Sequence, residues 1–215
     1  MSILELENFY VKYGNFHAVK DFSLQIQPGD SVAVTGNNGA GKTSVLRGVV
    51  GMADTTGRII FRGQDLSRSP EQLLKTGAVG YLPQKNRVFG ELTTLENLKI
   101  VSQSRSFQEI KEKVLTWFPE LADHLDQQGS NLSGGEQVML SIGRTLAREP
   151  DLLLLDEPTE GLMPDLEQRL VNILQRARGE QVGILLAEQN LDFVEELCSK
   201  AYCLQQGRNE RVREF

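Results

Sequence analysis

Two cysteines, two histidines and one tryptophan are all that 215 residues contain of these types, and no apolar run approaches the roughly 18 residues of a membrane span. Each shortage excludes something. Cys198 and Cys203 come with no further ligand set, so they read as small buried side chains of a reducing compartment and not as a metal cage. His17 and His124 fall outside every motif described below, and a catalytic histidine of the chain's own is not expected. Basic side chains number 23 against 29 acidic ones, for a net charge of −6. That balance argues against a chain-wide footprint for nucleic acid. The start, Met1-Ser2-Ile3-Leu4-Glu5, lacks the basic-then-apolar layout of a secretory leader, which leaves a cytoplasmic chain with no direct membrane insertion. Repeats, linkers and low-complexity tracts are also missing. With 40% apolar residues, the length predicts a single globular domain over 1–215.

What is present is glycine in a particular arrangement. GNNGAGKTS at 36–44 fits G-x-x-x-x-G-K-[ST], in which backbone N–H groups close around phosphates and a lysine and a hydroxyl complete the charge balance. The cradle would comprise Gly36, Asn37, Asn38, Gly39, Ala40, Gly41, Lys42, Thr43 and Ser44. Lys42 would reach the β- and γ-phosphates, Thr43 would bind Mg²⁺, and a helix starting near Lys42 would add its dipole. The context agrees, because Ser31-Val32-Ala33-Val34-Thr35 is β-prone and the residues after Thr43 can continue as a helix.

Two further segments carry chemistry. In LSGGEQ at 132–137, Ser133 and Glu136 have capping-box spacing ahead of Val138, Met139, Leu140 and Ile142, so a helix starts at Ser133. Glycine in its first turn costs about 1 kcal/mol per residue relative to alanine, which suits a backbone that something, such as a phosphate, must approach closely. An ordinary helix start with an incidental glycine pair fits the segment alone. In LLLLDEP at 152–158, four leucines suit a parallel strand covered on both faces, and Asp156 and Glu157 emerge at its carboxyl end. Asp156 would hold Mg²⁺, and Glu157 would orient and deprotonate an attacking water.

In this order the segments resemble the nucleotide-binding subunits of ATP-binding cassette (ABC) transporters, and the resemblance covers nearly the whole chain. It implies an α/β P-loop NTPase fold with a mainly parallel core sheet, an antiparallel β subdomain and a helical insertion at about 85–145. It also implies ATP and Mg²⁺ as ligands, hydrolysis coupled to transport, and attachment to the inner face of the membrane through transmembrane permease subunits. Tyr13 would stack on adenine, and Gln84 would touch Mg²⁺ and the attacking water. Ser133, Gly134, Gly135 and Gln137 would close on the nucleotide of a second ATPase subunit. Within the family, residues 132–143 and 157–164, with Asn38-Gly39-Ala40-Gly41-Lys42-Thr43, are similar to the ATPase subunits of branched-chain amino-acid and urea uptake systems. The alternatives are a soluble or exporter-linked cassette ATPase of cofactor assembly or lipid export, and an ATP-clamped binding subunit with little turnover.

Two positions depart from the general cassette pattern. Gln189 stands where most cassettes have a histidine that contacts the γ-phosphate, and Met163 where an aspartate usually meets the opposing subunit. Both suggest a heterodimer, with a homodimer as the alternative. Elsewhere, residues 3–34 read as strands turning at Gly14 and Pro28-Gly29-Asp30, 57–61 as another strand, 166–178 as a helix and 201–204 as the last strand. Helical spacing of Ile100, Ile110, Val114, Leu115 and Trp117 marks the insertion, with Trp117 and Phe118 filling its core and Pro119 breaking the run. A short charged tail follows Arg208, where subgroup members usually run some twenty residues further.

Overall fold

The strands follow from two different burial patterns. In β1 (Leu4–Tyr13), Leu4, Leu6, Phe9 and Val11 are buried while Glu5 and Glu7 point outward, the alternation of a sheet with one covered face. β3 (Ser31–Thr35), β7 (Leu152–Asp156) and β8 (Gly183–Ala187) are instead buried at every residue, as parallel strands covered on both sides must be. A computed structural model describes residues 1–85, 87–101 and 106–215. Among the described residues, β1 joins β2 (Phe16–Ile26), β4 (Asp54–Phe61) and β5 (Gln64–Asp65) in an antiparallel sheet of order β2-β1-β4-β5. The core sheet has the order β10 (Arg208–Glu214), β9 (Lys200–Gln205), β3, β8, β7 and β6 (Val79–Leu82). Its strands β6, β7, β8, β3 and β9 run parallel, and β10 closes one edge antiparallel to β9.

Successive residues of the core strands feed opposite layers. Val32, Val34, Leu152, Leu154 and Leu185 pack with the antiparallel sheet and with Val45, Leu46 and Val49 of α1 (Lys42–Val49). Ala33, Leu153, Leu155, Ile184 and Leu186 pack on the other side with apolar residues of five helices: α3 (Thr94–Lys99), α4 (Phe107–Trp117), α5 (Gly134–Leu146), α6 (Pro164–Gly179) and α7 (Leu191–Leu197). Between β5 and β6 a one-turn helix, α2 (Gln72–Lys75), buries Leu73.

The structure corrects several expected boundaries. Residues 208–214 form a strand, not a tail: their backbone completes the edge ladder with β9 although Val212 is exposed and the other side chains are polar. Pro119 does not simply end a helix, since it opens a 3-10 helix over Pro119–His124. Phe118 lies in the core, whereas Trp117 is half-buried at its margin beneath the Lys113 ammonium. Cys198 is buried, and burial pushes its thiol up to about 11, but Cys203 is only half-buried. Residues 86 and 102–105 of the expected insertion lie outside the described residues.

Candidate nucleotide site

β3 ends at Thr35 and α1 begins at Lys42, so residues 36–41 form the connecting loop. Gly41 is the N-cap of α1 with φ +112°, and a Cβ there would lie 2.6 Å from the Ala18 carbonyl oxygen. Only glycine fits. Having no side chain, it caps none of the first amides of α1, and those N–H groups are left for an anion.

Charged and polar side chains converge from four chain segments. Lys42 Nζ donates to the carbonyls of Gly36 (2.9 Å) and Asn37 (3.4 Å) and pairs with Glu157 Oε1 at 3.2 Å. Glu157 Oε2 accepts a 2.7 Å bond from Gln84 Nε2, and Oε1 a 2.9 Å bond from Gln189 Nε2. The same Gln189 nitrogen donates to Asn38 Oδ1 at 2.7 Å, tying the β8–α7 turn to the phosphate loop. Thr43 Oγ1 donates to Asp156 Oδ1 at 2.8 Å, while Asp156 Oδ2 is buried with no partner among the described residues. Burial pushes the Asp156 carboxyl above the ordinary carboxylate range, and the charge of neighbouring Glu157 adds to the effect.

Tyr13 is 41% exposed at the rim of a cleft of about 290 Å³ whose wall includes Asn38, Gly39, Gly41, Lys42, Thr43, Ser44, Gln84 and Glu157. Asn37 and Ala40 lie on the loop's other side, facing β9. Ser133, Gly134, Gly135 and Gln137 are not part of the cleft. Ser133 caps α5 through the expected reciprocal bonds, Ser133 N–H to Glu136 Oε2 (2.7 Å) and Glu136 N–H to Ser133 Oγ (3.3 Å). Ser133 and Gly134 are exposed, and nothing stands within 4 Å of where a Gly134 side chain would be. Met163, the N-cap of α6, is 67% exposed.

Four residues near these groups are not among the site residues named from the sequence. Phe16, opposite Tyr13 across the β1–β2 turn, is 68% exposed on the same cleft; the flanking aromatics of Tyr13-Gly14-Asn15-Phe16 were the signal for it. Arg87 donates to the Glu157 carbonyl at 2.8 Å. His124 Nε2 stands 3.1 Å from Glu136 Oε1, so a histidine outside every motif contacts the cap of α5. Glu188 accepts the Thr159 hydroxyl at 2.8 Å and the Gln189 N–H at 2.7 Å, bonding two separate chain segments.

A glycine loop that opens a helix at the end of one parallel strand, beside an Asp–Glu pair at the end of another, defines a P-loop nucleotide hydrolase. Residues 19–160 match the ABC transporter family. The chain is 36% identical to the high-affinity branched-chain amino acid transport ATP-binding protein BraG of Pseudomonas aeruginosa, over 96% of this chain and 90% of that protein. It is 35% identical to the lipopolysaccharide export system ATP-binding protein LptB of Haemophilus influenzae, over 97% and 89%. A solved ATP-binding subunit of an ABC transporter superposes with a TM-score of 0.88 at 25% identity, covering 100% of this chain and 90% of that one. The chain therefore belongs to the ABC transporter family, as an ATP-binding subunit with ATPase activity.

Proposed function

We propose that this chain energises an importer of branched-chain amino acids or a similar small polar solute, bound peripherally to permease subunits and paired with a second cassette ATPase. The observation that carries the hydrolytic part is the Glu157 carboxylate, held among Lys42, Gln84 and Gln189 at the mouth of the phosphate loop. Glu157 acts as general base toward water, Gln84 and Gln189 orient it, Lys42 binds the terminal phosphates, and Tyr13 stacks on the base. Mg²⁺ fits Thr43, Asp156 and Gln84, because the unpartnered Asp156 Oδ2 is a buried acceptor that lacks a cation or donor. When bound, the ion would offset phosphate charge. Ser133, Gly134, Gly135 and Gln137 close over the partner's nucleotide, a reading supported by the exposure of Ser133 and Gly134 and by the position of all four outside this chain's own cleft.

The solute class rests on the likeness to BraG. A lipid-export reading is favoured by the nearly equal identity to LptB. No helix among the described residues is long and apolar enough to cross a membrane. The test is to purify the chain with the membrane proteins that accompany it, reconstitute the complex in vesicles, and measure ATP-driven entry of leucine, isoleucine and valine. Saturable uptake that needs ATP is the expected result. Release of lipopolysaccharide from the vesicles with no amino-acid uptake would select the export reading.

A further inference from the structure

Glu188, the residue after β8, is 3% exposed and has both carboxylate oxygens engaged, each by a different loop. Oε1 accepts the backbone N–H groups of Gln189 (2.7 Å) and Asn190 (3.2 Å), at the turn that carries Gln189 toward Glu157. Oε2 accepts the Thr159 hydroxyl (2.8 Å) and, at 3.4 Å, its N–H. Thr159 is buried too, and its loop runs from Glu157 to exposed Met163. Glu188's own N–H donates to the Val34 carbonyl of β3, so the clamp is anchored to the strand that leads into the phosphate loop. A buried carboxylate is costly to keep unless its lone pairs are filled, and here they are filled by donors from two separate segments.

We infer that Glu188 is a positioning residue that locks the Gln189 turn to the loop running from Thr159 to Met163, so that a displacement of that outward loop by a partner subunit shifts Gln189 against Glu157. The inference rests on the composite-site reading, in which residues near Met163 face a second ATPase. Glu188 touches no reacting atom; its effect passes through the backbone of Gln189. A carboxylate suits the task because it has acceptors only, one oxygen for each loop. An apolar side chain of similar length would leave both loops without their shared anchor.

The test uses the full chain purified with its accompanying membrane proteins, and compares Thr159→Val, Thr159→Ser, Glu188→Met and the Thr159→Val, Glu188→Met pair. Loss of a buried bond of this kind is expected to lower kcat at least about fivefold in Thr159→Val and Glu188→Met, with ATP affinity held within about twofold of the parent. Thr159→Ser keeps the hydroxyl and should restore the parental kcat. The paired variant should be no slower than the slower single one, because both substitutions break one link. Less than fivefold loss in Thr159→Val, affinity falling in step with kcat, no rescue by serine, or multiplicative losses in the pair would each overturn the clamp. Ser133→Arg serves as the separate check on the composite site: full turnover in that variant overturns the dimer reading itself, whereas lost turnover there beside an unaffected Thr159→Val overturns the clamp alone.

Discussion

Glu157 has φ +47°, a left-handed conformation that costs a non-glycine residue of the order of 1 kcal/mol or more and persists only where neighbours enforce it. The enforcement is visible. Its N–H donates to the Ala187 carbonyl, its own carbonyl accepts from Arg87, and its carboxylate is held from three sides. The same carboxylate pairs with Lys42, the side chain proposed to bind the terminal phosphates. Glu157→Gln therefore has two separable consequences. Loss of a general base lowers ATP turnover by about 10²–10⁴. Loss of the 3.2 Å ion pair frees Lys42, so ATP affinity should rise above that of the parent. Calorimetric titration beside steady-state turnover checks both, and turnover within about twofold of the parent would remove Glu157 from the role of base.

At the scale of elements, the turn between β9 and β10 is a structural support for the phosphate loop. Gly207 N–H donates to the Ala40 carbonyl at 2.9 Å, and the Gly207 carbonyl accepts from Lys20 N–H at 2.7 Å, so one residue joins the loop to β2. Its φ is +79°, and a Cβ would lie 2.5 Å from the Ala18 oxygen. Gly207→Ala is expected to destabilise the fold by roughly 1–3 kcal/mol and to weaken ATP binding, with urea denaturation and calorimetry as the measurements. Unchanged affinity at reduced stability would mean that the turn supports the fold and not the site. The sequence revealed this region only in part. β3, β7 and β8 were legible because full burial demands uninterrupted apolar runs, and the start of α5 because capping chemistry is local. β10 was not, since an edge strand needs only backbone partners, and its arginines and glutamates, which protect the edge from further pairing, read as a tail. The motif residues of the cleft could be named in advance. Their pairings, such as Gln84 to Glu157 or Glu188 to Thr159, join positions far apart in the chain and depend on strand order, which no local pattern encodes.

Among the described residues the phosphate loop lines a cleft and the exposed Ser133-capped helix start lies outside it, an arrangement that fits the proposed second subunit. On the proposed heterodimer the two composite sites are unequal, because this chain supplies Gln189 and Met163. Gln189 Nε2 already divides itself between Asn38 Oδ1 at 2.7 Å and Glu157 Oε1 at 2.9 Å, as a neutral donor can. It cannot add positive charge or exchange a proton as an imidazole does. A charge-assisted bond contributes roughly 1.5–3 kcal/mol, so its absence slows a site by about ten- to a hundredfold without silencing it. The chain alone should hydrolyse ATP slowly, a partner with histidine at the matching position should carry most of the turnover, and Gln189→His should raise the rate of this site. The measurement is single-site turnover in a heterodimer whose other site is disabled. A parental rate already equal to that of Gln189→His would show that glutamine at this position is mechanistically silent and that the asymmetry must arise elsewhere.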